Sequence, residues 1–159
     1  MRIAICYPPF RSEKGVALLT QNRQFQWFSR PTYIFPVVPA MAATMLKRAG
    51  HEVLFLDGIA AELTDEAFES RLAAFRPDLV VCETKTPVVK RHWEWIERQV
   101  RKAKAEGLGA DLPKFVLVGD HVTALPQESI EKPGVHAVIP GGDWDYGLLD
   151  FIDAGCPAG

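Results

Sequence analysis

Apolar residues in this chain fall into two patterns: short unbroken runs, and longer stretches where they recur every three or four positions. The runs are Arg2–Tyr7, Glu52–Leu56, Leu79–Cys82, Phe115–Val118 and His136–Ile139. They are rich in Val, Ile, Leu and Phe and lack a regular apolar–polar alternation, as expected of strands covered on both faces. Proline punctuates them: Pro8-Pro9 ends the first, since proline cannot continue a central ladder.

The longer stretches predict helices. Pro36–Ala49 is apolar almost all round, through Val37, Val38, Ala40, Met41, Ala43, Met45 and Leu46, and stops at Gly50; it is expected to be heavily buried. Thr64 is placed to cap a second helix, with a Leu63–Phe68 staple and a buried stripe of Phe68, Leu72 and Phe75 before Pro77. A third runs from about Val88 to Glu106, with Val89, Trp93, Ile96, Val100 and Ala103 at helical spacing. A short helix starts at Pro126, where a missing N–H costs nothing, and a last one carries Leu148, Leu149 and Ile152. Gly107–Pro113 reads as a loop. One segment fits neither pattern: about 25 residues from Phe10 to Phe35 have no clear periodicity yet carry Phe25, Trp27, Phe28 and Tyr33, too aromatic for plain disorder. They either cap the sheet edge or form a lid over a ligand.

Strands alternating with helices predict an α/β fold, a flavodoxin-like, Rossmann-like three-layer sandwich with a five-stranded parallel sheet of order 2-1-3-4-5. Ligands in such sheets bind beyond the carboxyl ends of the strands, at the switch point next to the first strand. The loops that matter are therefore Cys6–Phe10, Asp57-Gly58, Glu83–Pro87, Gly119–Leu125 and Pro140–Asp143. Within them Tyr7, Pro8, Pro9, Phe10, Asp57, Thr84, Lys85, Thr86, Gly119, Asp120, His121, Val122, Thr123, Gly141 and Gly142 are the candidate binding residues. Gly119 ends a buried strand, where a bare backbone bends sharply or approaches a ligand closely.

Composition narrows the class. With 48% hydrophobic and 24% charged residues over 159 positions, the chain reads as one globular domain able to bury roughly 70% of its unfolded surface. A net charge of −2 favours no nucleic-acid partner. Basic residues on the third helix read as a solvated face, with Glu94–Arg98 and Glu97–Arg101 as supporting pairs. No apolar run is long enough to cross a bilayer and no signal peptide precedes the first strand, so membrane insertion is not expected and a cytoplasmic location is. Cys6, Cys82 and Cys156 have no metal-ligand spacing; the first two read as small hydrophobes within strands. The domain is expected over residues 1–154, with 155–159 as a linker or the cut end of a longer chain.

No catalytic residue is assigned. There is no Gly-x-Gly-x-x-Gly after the first strand, no Walker loop and no Gly-x-Ser-x-Gly. Asp57 ends the second strand, not the third, and no acidic pair follows the first, which argues against a receiver-type phosphoacceptor. Asp120 and His121 are adjacent in a turn, and such side chains point apart. His51, His92 and His136 are scattered, and no protein metal site is assigned.

The chain as a whole resembles the N-terminal cobalamin-binding domain of B12-dependent radical SAM enzymes, the group that includes the anaerobic magnesium-protoporphyrin monomethyl ester cyclases. The resemblance rests on Tyr7-Pro8-Pro9-Phe10, on Pro39–Val53 with Leu56-Asp57, on Arg76–Val80, on Val118–Glu128, and on Val138–Asp143. Asp120 and Gly141-Gly142-Asp143 depart from the family's more usual Gly-Gly before the histidine and Gly-Glu in the last loop. The resemblance implies cobalamin as partner and cofactor, and a downstream radical SAM domain carrying the iron–sulfur cluster and SAM, for methyl transfer or ring formation. This chain lacks the Cys-x-x-x-Cys-x-x-Cys motif that holds such a cluster, so alone it cannot perform that chemistry. It also lacks Asp-x-His-x-x-Gly after the first strand, so no histidine of that loop can be a lower axial ligand to cobalt. The other reading is a non-enzymatic regulatory or protein-interaction domain of the same fold with no cofactor.

Overall fold

A computed structural model describes residues 1–19, 25–30, 32, 34–107 and 112–159. Expectations for Tyr33, and for most of the Gly107–Pro113 loop, fall outside the described residues. Five strands form one parallel sheet: β1 (Arg2–Tyr7), β5 (Glu52–Asp57), β6 (Leu79–Glu83), β7 (Lys114–Val118) and β8 (Val135–Ile139), in the order β5-β1-β6-β7-β8. In order of occurrence this is 2-1-3-4-5, the order read from the sequence.

Three layers follow from side-chain alternation within strands that are apolar on both sides. One face of the sheet buries Ala4, Cys6, Val80, Cys82, Phe115 and Leu117 against helices α2 (Asp65–Phe75) and α3 (Val89–Ala105). The other buries Ile3, Ile5, Leu79, Val81, Val116 and Val118 against α1 (Val37–Arg48) and α6 (Trp144–Asp153). Helix α2 starts as its sequence dictates: Thr64 is extended, and its side chain accepts a hydrogen bond from the Ala67 N–H at 3.2 Å. Thr64→Ala is expected to lower the unfolding free energy by about 1 kcal/mol, read as an earlier urea midpoint with an unchanged slope.

Four features differ from the sequence reading. Helix α1 is buried only along Pro39, Ala42 and Leu46, while Val37 and Met41 remain exposed: a helix rich in apolar residues all round still has one face on the sheet. The aperiodic segment holds a small antiparallel sheet, β2 (Arg11–Ser12), β3 (Gly15–Leu18) and β4 (Gln26–Phe28), whose strands are too short for a period to register. The turn after β7 is itself helical, α4 (Asp120–Ala124), followed by α5 (Pro126–Ile130). Arg98 reaches across to Glu69 at 3.3 Å and Asp65 at 3.8 Å on α2 in place of its helical neighbour Glu94, whereas Glu97 and Arg101 lie 4.0 Å apart as expected.

Residues 155–159 are docked on the sheet. The Gly159 N–H donates to His136 O and the Val138 N–H to Gly159 O, at 3.2 and 2.9 Å, along the outer edge of β8. Cys156 is buried with the α1–α6 core, and its carbonyl accepts from Lys114 Nζ at 2.8 Å and lies 2.9 Å from His136 Nε2. No helix among the described residues is long and apolar enough to cross a membrane.

Candidate functional site

The carboxyl ends of all five parallel strands are laced together by polar contacts. At the switch point, between β1 and β6, the Tyr7 hydroxyl donates a short hydrogen bond to Glu83. The Gly58 N–H, after β5, donates to Tyr7 O at 2.8 Å. Lys85 after β6 pairs with Asp120 after β7 at 2.7 Å, and Thr86 Oγ1 lies 3.2 Å from His121 Nδ1. Thr123 closes the far side: its hydroxyl donates to Gly119 O at 2.8 Å and accepts from the Gly141 N–H at 2.9 Å. The expected loops therefore meet at one rim.

Burial sets the protonation of that rim. Desolvation pushes the Glu83 carboxyl above its usual range, against the lowering pull of the Tyr7 hydrogen bond and the Lys85 charge. Tyr7 is held well above its ordinary value, first by burial and then by the Glu83 charge. Asp57 is raised by burial although its Oδ1 accepts from the Ile59 and Ala60 N–H groups at 3.0 and 2.9 Å. These groups favour a neutral or hydrogen-bonded partner over a second anion.

The candidate residues divide by location. Thr84, Lys85, Thr86, Asp120, Thr123, Gly141 and Gly142 stand together over β6, β7 and β8. Thr84 is fully buried, and its hydroxyl has no hydrogen-bond partner. A side-chain atom added at Gly141 or Gly142 would meet nothing within 4 Å, so their backbone faces open space. Gly119 is different: its φ is +100°, and a Cβ there would lie 2.8 Å from Thr84 O and 2.9 Å from Glu83 Cγ. The chain's own loop takes up that close approach.

His121 and Val122 face inward. Val122 belongs to the core under α2 and α3. The buried His121 ring meets Trp93 edge-on at 5.5 Å, with Nε2 3.5 Å from Glu128, and its pKa is lowered mainly by desolvation. Asp120 points the other way, to Lys85, as expected of neighbours in a turn. Pro8, Pro9 and Phe10 also leave the rim: they line a cavity of about 560 Å³ shared with the start of α2 and with Arg91, His92 and Trp95 of α3. Arg91 lies over the Phe10 ring at 4.3 Å.

The crevice over β1 and β5 is closed by the antiparallel sheet. Tyr7, Phe10, Ala17, Leu19 and Val88 form a separate apolar cluster, with Phe25, Trp27, Phe55 and Ile59 packed on it. About 20 Å³ remains between Tyr7, Leu18 and Asp57, room for about one water and far too little for a large ligand. Two groups escaped the sequence reading. Glu83 reads in the sequence only as the start of the polar turn Glu83–Pro87; it ends β6, and its importance comes from the partner strand that brings Tyr7 to it. His92, 1% exposed with neither ring nitrogen hydrogen-bonded, carried a usable signal: it sits one turn from Val88 and Ile96 on the apolar stripe of α3.

Against known proteins, the chain is 26% identical over 156 residues to an anaerobic magnesium-protoporphyrin IX monomethyl ester cyclase of Rubrivivax gelatinosus. The match covers 97% of this chain and 24% of that relative, so the chain spans about a quarter of its length. No protein-family model and no solved structure matches the chain. The comparison relates the chain to one part of a cyclase.

Proposed function

We propose that this chain is a cobalamin-binding domain of a larger enzyme that also carries a radical SAM domain and performs methyl transfer or ring formation. The observation that carries the reading is the extent of the cyclase match, 97% of the chain, together with the place where the resembling segments lie: Tyr7-Pro8-Pro9-Phe10, Asp57, Val118–Glu128 and Val138–Asp143 all begin at or next to the carboxyl end of a strand. The rim over β6–β8 fits such a group. Thr84 offers a buried hydroxyl without a partner, and the open backbone at Gly141 and Gly142 offers close approach to a broad flat molecule. Lys85, Thr86, Asp120 and Thr123 supply polar contacts for amide side chains, while Tyr7, Asp57 and Phe10 lie on the side the antiparallel sheet covers. When bound, cobalamin supplies a cobalt centre for group transfer; this chain's share of the work is to bind and orient it and to exclude water. The enclosure of His121 by Trp93, Thr86 and Glu128 argues against a role for it as a cobalt ligand.

Titration of the chain with hydroxocobalamin tests this. A saturable change in the visible spectrum at one equivalent is expected; a spectrum identical to the free cofactor at every ratio would overturn the reading. A protein-interaction domain is the second reading, favoured by the closed β1–β5 crevice and by the exposed Phe35, Val37, Met41, Leu125 and Tyr146.

A further inference from the structure

Cys6 and Cys82 occupy directly paired positions on the neighbouring parallel strands β1 and β6, and their sulfurs lie 3.3 Å apart. Both side chains point to the same face of the sheet, into the α2–α3 core, at 0% and 1% exposure. Neighbouring strands stand about 4.8 Å apart, inside the Cα separation of about 4.4–6.8 Å that a disulfide spans. The sequence, with the two thiols 76 residues apart, could not reveal this. We propose that Cys6 and Cys82 are an oxidisable dithiol that closes to a cross-strand disulfide at the switch point, independent of any cofactor the rim holds.

The oxidant is a small neutral peroxide, and the chemistry balances in two steps. One thiol, as thiolate, attacks a peroxide oxygen, giving a sulfenic acid and hydroxide; the second thiol then displaces water from the sulfenic sulfur, forming the S–S bond. In sum, two thiols and one hydrogen peroxide give one disulfide and two waters. Burial raises the Cys6 thiol well above its ordinary pKa, so the reaction is slow. Closure brings the sulfurs from 3.3 Å to about 2.05 Å, an approach that rotation of the two side chains supplies because the strand spacing already suits the bond. The next residues along are Tyr7 and Glu83, so the cross-link would tie the strand pair directly beneath their hydrogen bond.

The test is mass spectrometry on the native chain after hydrogen peroxide, quenched and alkylated under denaturing, non-reducing conditions. Before alkylation the expected product is about 2 Da lighter than the reduced protein; after it, one thiol, Cys156, is alkylated, and a linked pair of peptides containing Cys6 and Cys82 appears that dithiothreitol separates. The oxidised form should melt about 5 °C or more higher, since the bond closes a long loop in the unfolded chain. Cys82→Ala and Cys6→Ala should each abolish the linked pair; the wild-type result stands alone if either variant folds poorly. Both thiols still alkylatable, separate sulfinic acids on each, or a link to Cys156 would each overturn the proposal.

Discussion

Gly119→Val is expected to destabilise the fold by about 3–5 kcal/mol, seen as a large fall in the urea midpoint or as loss of soluble protein. Two penalties add. Valine is a β-branched residue forced to a φ of +100°, and its Cβ would overlap the Thr84 carbonyl at 2.8 Å, a backbone atom that cannot swing aside. Gly119→Ala should suffer nearly as much, because both penalties begin at Cβ. Loss of the proposed cobalamin binding in either variant is then expected to track loss of folded protein. A variant with a wild-type midpoint would mean that the Glu83–Thr84 loop is not held against β7 as described.

The second large effect is a pH dependence centred on His92. Burial lowers its pKa from 6.5 to about 4 in the folded chain, with no charged partner offsetting the shift. Between those values the unfolded chain binds the proton and the folded chain does not, so stability falls as pH falls from about 6.5 to about 4. The loss approaches about 3 kcal/mol at the acid end. Glu83 and Asp57, whose pKa values are raised, act with the opposite sign: their protonated forms favour the folded state, so they gain stability as pH falls. A comparison with His92→Leu isolates the histidine. That variant should be more stable than wild type at pH 7 by about 1–3 kcal/mol, since it removes a buried imidazole without hydrogen bonds, and the gap should widen on acidification. Parallel stability curves for the two proteins between pH 7 and 4 would show that His92 is not buried neutral.

Strand order and layers were legible because short unbroken apolar runs such as Leu79–Cys82 and Phe115–Val118 alternate with longer helical patterns, as in a parallel sheet covered on both faces. Helix capping at Thr64 was legible because it is local. The rim was legible only as a set of loops. Which of its members face outward depends on contacts between distant segments: the helical turn α4 turns Val122 into the core, and Phe10 leaves the rim to meet Arg91. Residues Gly15–Leu18 and Gln26–Phe28 failed for another reason, since strands of three or four residues give no measurable period and owe their form to pairing with each other.

The docked tail makes the two borders of the parallel sheet unequal. Along β8, the outward N–H of Val138 and carbonyl of His136 are taken by Gly159, and Pro140 has no N–H to offer, so that border resists the addition of another strand. Along β5, the alternation that turns Glu52, Leu54 and Leu56 toward β1 leaves the main-chain groups of Val53 and Phe55 turned outward. Among the described residues of the parallel sheet, a further strand would therefore add at β5 more readily than at β8.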